Sequence, residues 1–183
     1  MIHATTATTD EDLQQILDLQ TANLKQNLTD QVRKSQGFVT MKFSIDMLRE
    51  LRTLSPSIVL KVDNQILAYA IVFLKEGINF YPEMNSLIEN LSNIEWKGKR
   101  LSDSDYYIMG QVCVAERLRG TGAFDLLYQT HRELMSSRYE CLVTEIATSN
   151  TRSLRAHERV GFKPASIHRD AIDEWQIVVW DWS

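Results

Sequence analysis

The chain has 183 residues, 44% of them hydrophobic and 24% charged, with a formal net charge of −4. That balance is ordinary for a soluble globular chain, and its sign argues against a nucleic-acid binder, which needs a basic face to displace counterions. Two cysteines, Cys113 and Cys141, both lie in apolar runs and match neither a disulfide framework nor zinc-ligand spacing. They read as buried free thiols, and no metal is expected.

Ile2 to Ala7 reads as an opening strand, following an N-terminus that lacks a basic-then-apolar signal pattern. No apolar run approaches membrane-spanning length, so a cytoplasmic setting is the expectation. Asp10 is placed to cap a helix in which Leu13, Ile16, Leu17 and Leu24 recur at helical spacing. Thr29 to Gln36 reads as a short polar helix. Ser44 caps another, with Ile45, Leu48 and Leu51 on one face, and Pro56 stops it. Gly37 to Phe43, between these helices, is unusually apolar for a connection. Ser57 to Val62 and Gln65 to Leu74 read as two strands joined by an Asp63-Asn64 hairpin turn. Pro82 begins a helix carrying Met84, Leu87, Ile88 and Leu91. Lys97 to Asp105 reads as a polar loop leading into a strand.

That strand ends in Val112-Cys113-Val114-Ala115-Glu116-Arg117-Leu118-Arg119-Gly120-Thr121-Gly122-Ala123, an apolar run entering a glycine turn that opens a helix. Glycines let the chain coil so that successive N–H groups converge, and the helix adds its own unpaired N–H groups and dipole. Such a turn can cradle a phosphate or pyrophosphate, with Arg117 and Arg119 beside it. A solvated strand-to-helix connection needs glycine equally, so the turn alone decides nothing. In the following helix Phe124, Leu127, His131 and Leu134 share a face, with Leu126 alongside. Glu140 to Ala147 reads as a strand, and Asn150 caps a helix ending at Gly161. The stripe Leu154, His157, Val160 faces inward there, while Arg152, Arg155 and Arg159 face out. Phe162 to Ile167 and Glu174 to Trp182 complete the chain as two strands. The length suits a single domain over residues 1–183.

The two glycine-bearing motifs, in this order and spacing, resemble the GNAT superfamily of acyl-CoA N-acetyltransferases. The family's pyrophosphate loop, Gln/Arg-x-x-Gly-x-Gly/Ala, is met by Arg117, Gly120 and Gly122. Its next block, Asn-x-x-(Ala/Ser)-x-x-x-Tyr-x-x-x-Gly-Phe, is met by Asn150, Ser153, Gly161 and Phe162, with His157 in the tyrosine's place. The match is close from Tyr106 to Phe162 and looser elsewhere. The resemblance implies an α/β (α+β) fold: a central mixed, mostly antiparallel sheet of about seven strands flanked by helices. It further implies a V-shaped splay between the fourth and fifth strands, with the Pro82 helix inserted between the third and fourth.

It also implies acetyl-CoA as cosubstrate, held at Leu118, Arg119, Gly120, Thr121, Gly122 and Ala123, and along Val112, Cys113 and Val114. Cys113 has apolar neighbours and no evident His–Asp partner, so it reads as structural rather than as a nucleophile. A strand N–H near Val112 would hold the thioester oxygen as it becomes an oxyanion. Asn150 and Ser153 would face the pantetheine, although Asn150 reads equally as a helix cap. His157 is open between a core histidine and the group that protonates the departing thiolate; an imidazolium can do so, a neutral ring can only hydrogen-bond or relay. Glu145 is open between a general base for the amine and an ordinary strand residue. The implied partner is a primary amine of a small molecule or peptide, with no nucleic acid and no membrane, and a homodimer is allowed. Asp170, Asp173 and Glu174 in the last hairpin are candidates for attracting a cationic amine, and Gly37 to Phe43 for walling its pocket. The competing function is an acyl-CoA-binding sensor that has lost turnover, kept open by the change at His157.

Overall fold

Hydrophobic residues on both faces of the central strands mark the sheet of this chain as a layer covered from two sides. The computed structural model describes residues 2–78 and 81–183. We number the strands of its main sheet β1 (His3–Thr6), β2 (Ile58–Val62), β3 (Gln65–Phe73), β4 (Tyr106–Val114), β5 (Cys141–Ala147), β6 (Lys163–Arg169) and β7 (Glu174–Asp181). The helices are α1 (Asp10–Asn23), α2 (Asp30–Gln36), α3 (Ile45–Leu54), α4 (Asn85–Leu91), α5 (Ala123–Met135) and α6 (Thr151–Val160). The seven-stranded sheet has the order β1-β2-β3-β4-β5-β7-β6. Only the β4–β5 pair is parallel.

Alternation divides the core into two layers. Tyr69, Ile71, Phe73, Val143, Ile177 and Val179 point to the side covered by α1, α3 and α4. Ala68, Ala70, Val72, Leu142, Val178 and Trp180 point to the side covered by α5 and α6. Glu145 shares the parity of Val143, which aims it into the first layer.

Several local expectations shift by a residue or two. The first helix is capped by Thr9 rather than Asp10. Thr9 Oγ1 accepts from the Asp12 N–H (3.1 Å) while the Asp12 carboxylate accepts from the Thr9 N–H (3.3 Å), a reciprocal capping box. Leu24 falls past the helix end yet is still buried. The hairpin turn at Asp63-Asn64 is present, both residues taking positive φ (50° and 64°). The stretch read as a polar loop, Lys97 to Asp105, holds the turn and second arm of a hairpin, Glu95–Trp96 against Lys99–Arg100, and a 3-10 turn, Leu101–Asp103. On α5 the buried stripe is Ala123, Leu127, Tyr128 and His131, whereas Leu134 is 50% exposed.

The feature that positions the site is the parting of β4 from β5. They pair only over Tyr106–Cys141, Tyr107–Leu142 and Ile108–Val143. Just beyond, the β3–β4 register slips so that Ile71 faces Gln111 and Val72 faces Met109, leaving Gly110 as a bulge. A Cβ at Gly110 would lie 2.2 Å from the Phe73 ring, so only glycine lets the two strands close up there. The bulge bends β4 away, and the expected splay at the fourth and fifth strands is present.

Candidate active site

Ala115 donates its N–H to Leu67 O on β3 (2.7 Å). Hydrogen bonding alternates along an antiparallel pair, so Val114 and Val112 turn their N–H and C=O groups to the opposite edge, into the gap left by β5. Arg119 Nε donates to Val114 O (3.0 Å) across that edge. The Cys113 thiol points instead into the core, where burial pushes its pKa up to about 12, and it is no nucleophile at neutral pH.

The turn after β4 carries Gly120 and Gly122 at φ 79° and 87°, a conformation that side chains resist. Leu118 and Arg119 donate back to Ala115 O and Glu116 O, and Thr121 to Leu118 O. Among the described residues, no protein acceptor meets the N–H groups of Gly120, Gly122, Ala123 or Phe124. Four donors without protein partners at a helix N-terminus can serve as an anion cradle. Such a cradle suits a phosphate or diphosphate.

The arginines are arranged differently from the sequence expectation. Arg119 is half-buried and its guanidinium is committed to the protein, to Val114 O, Gln36 Oε1 (3.0 Å) and Asn23 Oδ1 (2.6 Å). It ties the turn to α1 and α2 rather than pointing free cation into the cradle. Arg117 turns away to Gln65 Oε1 (2.6 Å). Arg119 borders the cavity with its guanidinium already engaged, and Arg152, Arg155 and Arg159, one face of α6, border it as well. Arg152 donates to Ser35 O and Arg159 pairs with Asp125, while Arg155 has no ion-pair partner among the described residues.

This cavity, about 530 Å³, runs from the cradle along the free edge of β4. A second, about 380 Å³, opens on the other side of the splay. The two share Phe38, Val39, Val112, Asn150 and Ser153 as lining, so they meet at the parted strands. Asn150 acts as a cap: its Oδ1 accepts from the Ser153 N–H (3.4 Å), and its Nδ2 donates to Phe38 O (3.0 Å).

Glu145 lines the second cavity. Its side chain is 13% exposed, burial raises its pKa, and a 2.8 Å bond to His168 Nε2 partly counters that. Phe38 to Lys42 wall the same cavity, with Met84, Leu87, Ile172 and Trp175 opposite. Of the hairpin acids only Asp170 reaches it. Asp173 is paired with Lys25 (2.5 Å) and Glu174 with Arg169 (2.9 Å).

His157 also borders the second cavity, but both of its nitrogens are engaged. Nδ1 lies 2.8 Å from Ser153 O, a group that only accepts, so Nδ1 carries the proton. Nε2 therefore accepts from Tyr128 OH (2.6 Å). Desolvation lowers its pKa to about 4. At neutral pH this is an uncharged ring, which corrects the expectation of an imidazolium donor and fits the core-histidine alternative. His168 and Tyr128 were not singled out as site residues by sequence reading; both are brought in from distant segments, and no spacing signals them.

A mostly antiparallel sheet with one parallel pair, splayed at that pair and followed by an N–H cradle, is the fold of the GNAT acetyltransferases. Solved structures agree along the whole chain. The ribosomal-protein-S18-alanine N-acetyltransferase of Escherichia coli superposes with TM-score 0.66 at 14% identity, over 99% of this chain and 94% of that one. A GNAT-family acetyltransferase from Streptococcus agalactiae gives 0.69 at 13% identity, over 100% and 96%. The NatC complex bound to Gag peptide and CoA gives 0.65 at 11% identity, over 100% and 99%. No protein-family model and no curated protein matches the chain. Among the described residues, no helix is long and apolar enough to cross a membrane.

Proposed function

We propose that this chain is an N-acetyltransferase, one domain over residues 1–183, that moves the acetyl group of acetyl-CoA to a primary amine by direct attack. The observation that carries the reading is the meeting of two cavities at the parted strands, one with an anion cradle and one with a buried carboxylate. A cytoplasmic setting and a small-molecule or peptide acceptor go with it. The apolar wall from Phe38 to Trp175, with Glu145 and Asp170 inside it, suits a cationic amine on an apolar body.

The acetyl-CoA diphosphate would rest on the Gly120 to Phe124 N–H groups, and its amide-bearing arm would pair with the Val112 and Val114 edge. Glu145 takes a proton from the acceptor ammonium, and the freed nitrogen attacks the thioester carbon. The Val112 N–H meets the oxyanion, where a preorganised donor acts most strongly. The C–N bond forms, the C–S bond breaks, and the second proton shed by nitrogen goes to the thiolate. Ser153 borders both cavities, and its hydroxyl would serve as the relay; neutral His157, 3.3 Å away, is its hydrogen-bond partner.

Saturating acetyl-CoA should raise the wild-type Tm, because a ligand at 100 times its Kd adds about 2.7 kcal/mol. Gly120→Asp sets a carboxylate in the cradle and should abolish that shift. Acetyl-CoA incubated with pooled amines should release free thiol. An absent Tm shift and no calorimetric binding would overturn the cradle. Binding without thiol release would support the second reading, an acyl-CoA-binding module without turnover, which the uncharged His157 favours.

Arg155 supplies a further check. A charge-assisted hydrogen bond contributes about 1.5–3 kcal/mol. Arg155→Glu should therefore weaken acetyl-CoA roughly 10- to 100-fold, while turnover of acetyl-pantetheine, which has no phosphate, stays unchanged. Equal losses with both thioesters would show that Arg155 does not serve phosphate.

A further inference from the structure

Glu145 and His168 stand on strands separated by β7, and their side chains meet over it at the level of Ile177 and Trp175. Both are nearly closed to solvent, at 13% and 8%. Among the described residues, His168 Nε2 is the one donor that reaches the Glu145 carboxylate, and it takes Oε2 at 2.8 Å. Oε1 has no protein donor there. The far ring nitrogen, Nδ1, faces the Ser86 hydroxyl of α4 at 3.5 Å. With Nε2–H given to the carboxylate, Nδ1 holds a lone pair that the Ser86 hydroxyl can meet, and the ring tautomer is thereby set.

We propose that His168 is the positioning residue for Glu145: it fixes one carboxylate oxygen so that the other is presented, ionised, to the acceptor amine, and Ser86 on the inserted helix holds the ring in that tautomer. This deepens the acetyl-transfer reading and rests on it. A carboxylate taken out of water tends to stay protonated and so to fail as a base. A single directed N–H on one oxygen favours the charged form without occupying the oxygen that must accept the proton. The group facing Glu145 with the opposite tendency is Asp170 of the β6–β7 connection, whose charge opposes its ionisation. Lys42 lines the same cavity from the segment after α2.

Burial raises the Glu145 pKa, and the His168 bond lowers it, so removing the bond moves the carboxyl up. In His168→Phe the acid limb of kcat/KM should therefore shift to higher pH by roughly one unit, with about tenfold less activity at any pH below both midpoints. His168→Gln returns an N–H near the Nε2 position and should restore the limb to within about 0.3 unit. A packing role alone predicts a lower Tm in both variants and an unmoved limb, and that result overturns the proposal. The Glu145 carboxyl itself is followed by carbon NMR of protein labelled at glutamate. Its titration midpoint should rise in His168→Phe, and in His168→Asn if the Phe chain does not fold, and an unchanged midpoint refutes the pair. That readout needs no turnover. If the wild type transfers no acetyl group to any amine, the enzyme reading fails while the carboxyl titration still decides whether His168 sets the state of Glu145.

Discussion

Glu145→Gln is expected to lower kcat/KM by about 10² to 10⁴ at pH 7, the range for loss of a positioned base. An amine with the pKa of lysine, about 10.4, is free base in roughly one molecule in 2,500 at pH 7. A carboxylate inside an apolar cavity both attracts the ammonium and takes its proton. The amide of glutamine keeps the shape and does neither. The variant must wait for free amine from solution, whose fraction grows tenfold per pH unit. Its deficit should therefore shrink about 100-fold between pH 7 and pH 9. The wild-type acid limb should lie above the usual carboxylate range, because burial raises the Glu145 pKa further than the His168 bond lowers it. A deficit that stays constant from pH 6 to pH 9 would remove Glu145 from proton transfer.

What the sequence discloses about this fold follows from how local each determinant is. Ser44 and Asn150 are caps whose partners lie three residues on, so the boundaries of α3 and α6 are written in the adjacent chain. The Asp63-Asn64 hairpin is equally local, and so is the glycine turn of the cradle. The Lys97-Gly98 turn is just as short, with φ 50° and 82°, but its polar flanks carry no strand pattern. The bulge at Gly110 depends on where a Phe73 ring packs from the neighbouring strand, and a lone glycine inside an apolar run is a faint sign of that.

Site chemistry was less legible than fold for the same reason. Arg119 sits in the motif, yet its guanidinium is fixed by Gln36 and Asn23, both more than eighty positions away. The Glu145 partner His168 lies across an intervening strand, and the His157 partner Tyr128 lies on a different helix. Motif spacing places backbone and side-chain roots; the hydrogen bonds that set charge state come from tertiary packing.

Stability should collapse on acidification between about pH 6 and pH 4.5, driven by two buried histidines. His157 is 1% exposed and His131 fully buried, and desolvation lowers their pKa values from 6.5 to about 4 and about 3. His131 has Tyr107 OH at 3.1 Å from Nδ1, and its Nε2 has no partner among the described residues. Each folded pKa lies below the unfolded one, so the unfolded chain binds the extra protons and stability is lost as pH falls from 6.5 toward the folded values. With both rings titrating in this sense, the slope approaches about 3 kcal/mol per pH unit once pH is well below 6.5. The full windows amount to roughly 3 kcal/mol for His157 and 5 for His131, comparable to the whole stability of an ordinary domain. Asp181, whose pKa is about 2, loses its contribution only at lower pH, which separates the two effects. Glu145 acts weakly in the opposite sense, because its folded pKa is raised. Urea unfolding at pH 7, 6 and 5 measures the slope, and His131→Phe with His157→Phe should remove most of it whatever the starting stability. A slope unchanged in the double variant would show that these rings are charged in the folded state. The single His157→Phe chain then tests chemistry on the same protein. An uncharged ring donates no proton to a thiolate, so turnover per folded molecule should stay within about tenfold of wild type. A loss of about 10² to 10⁴ would instead mean that the ring at position 157 serves the departing sulfur directly.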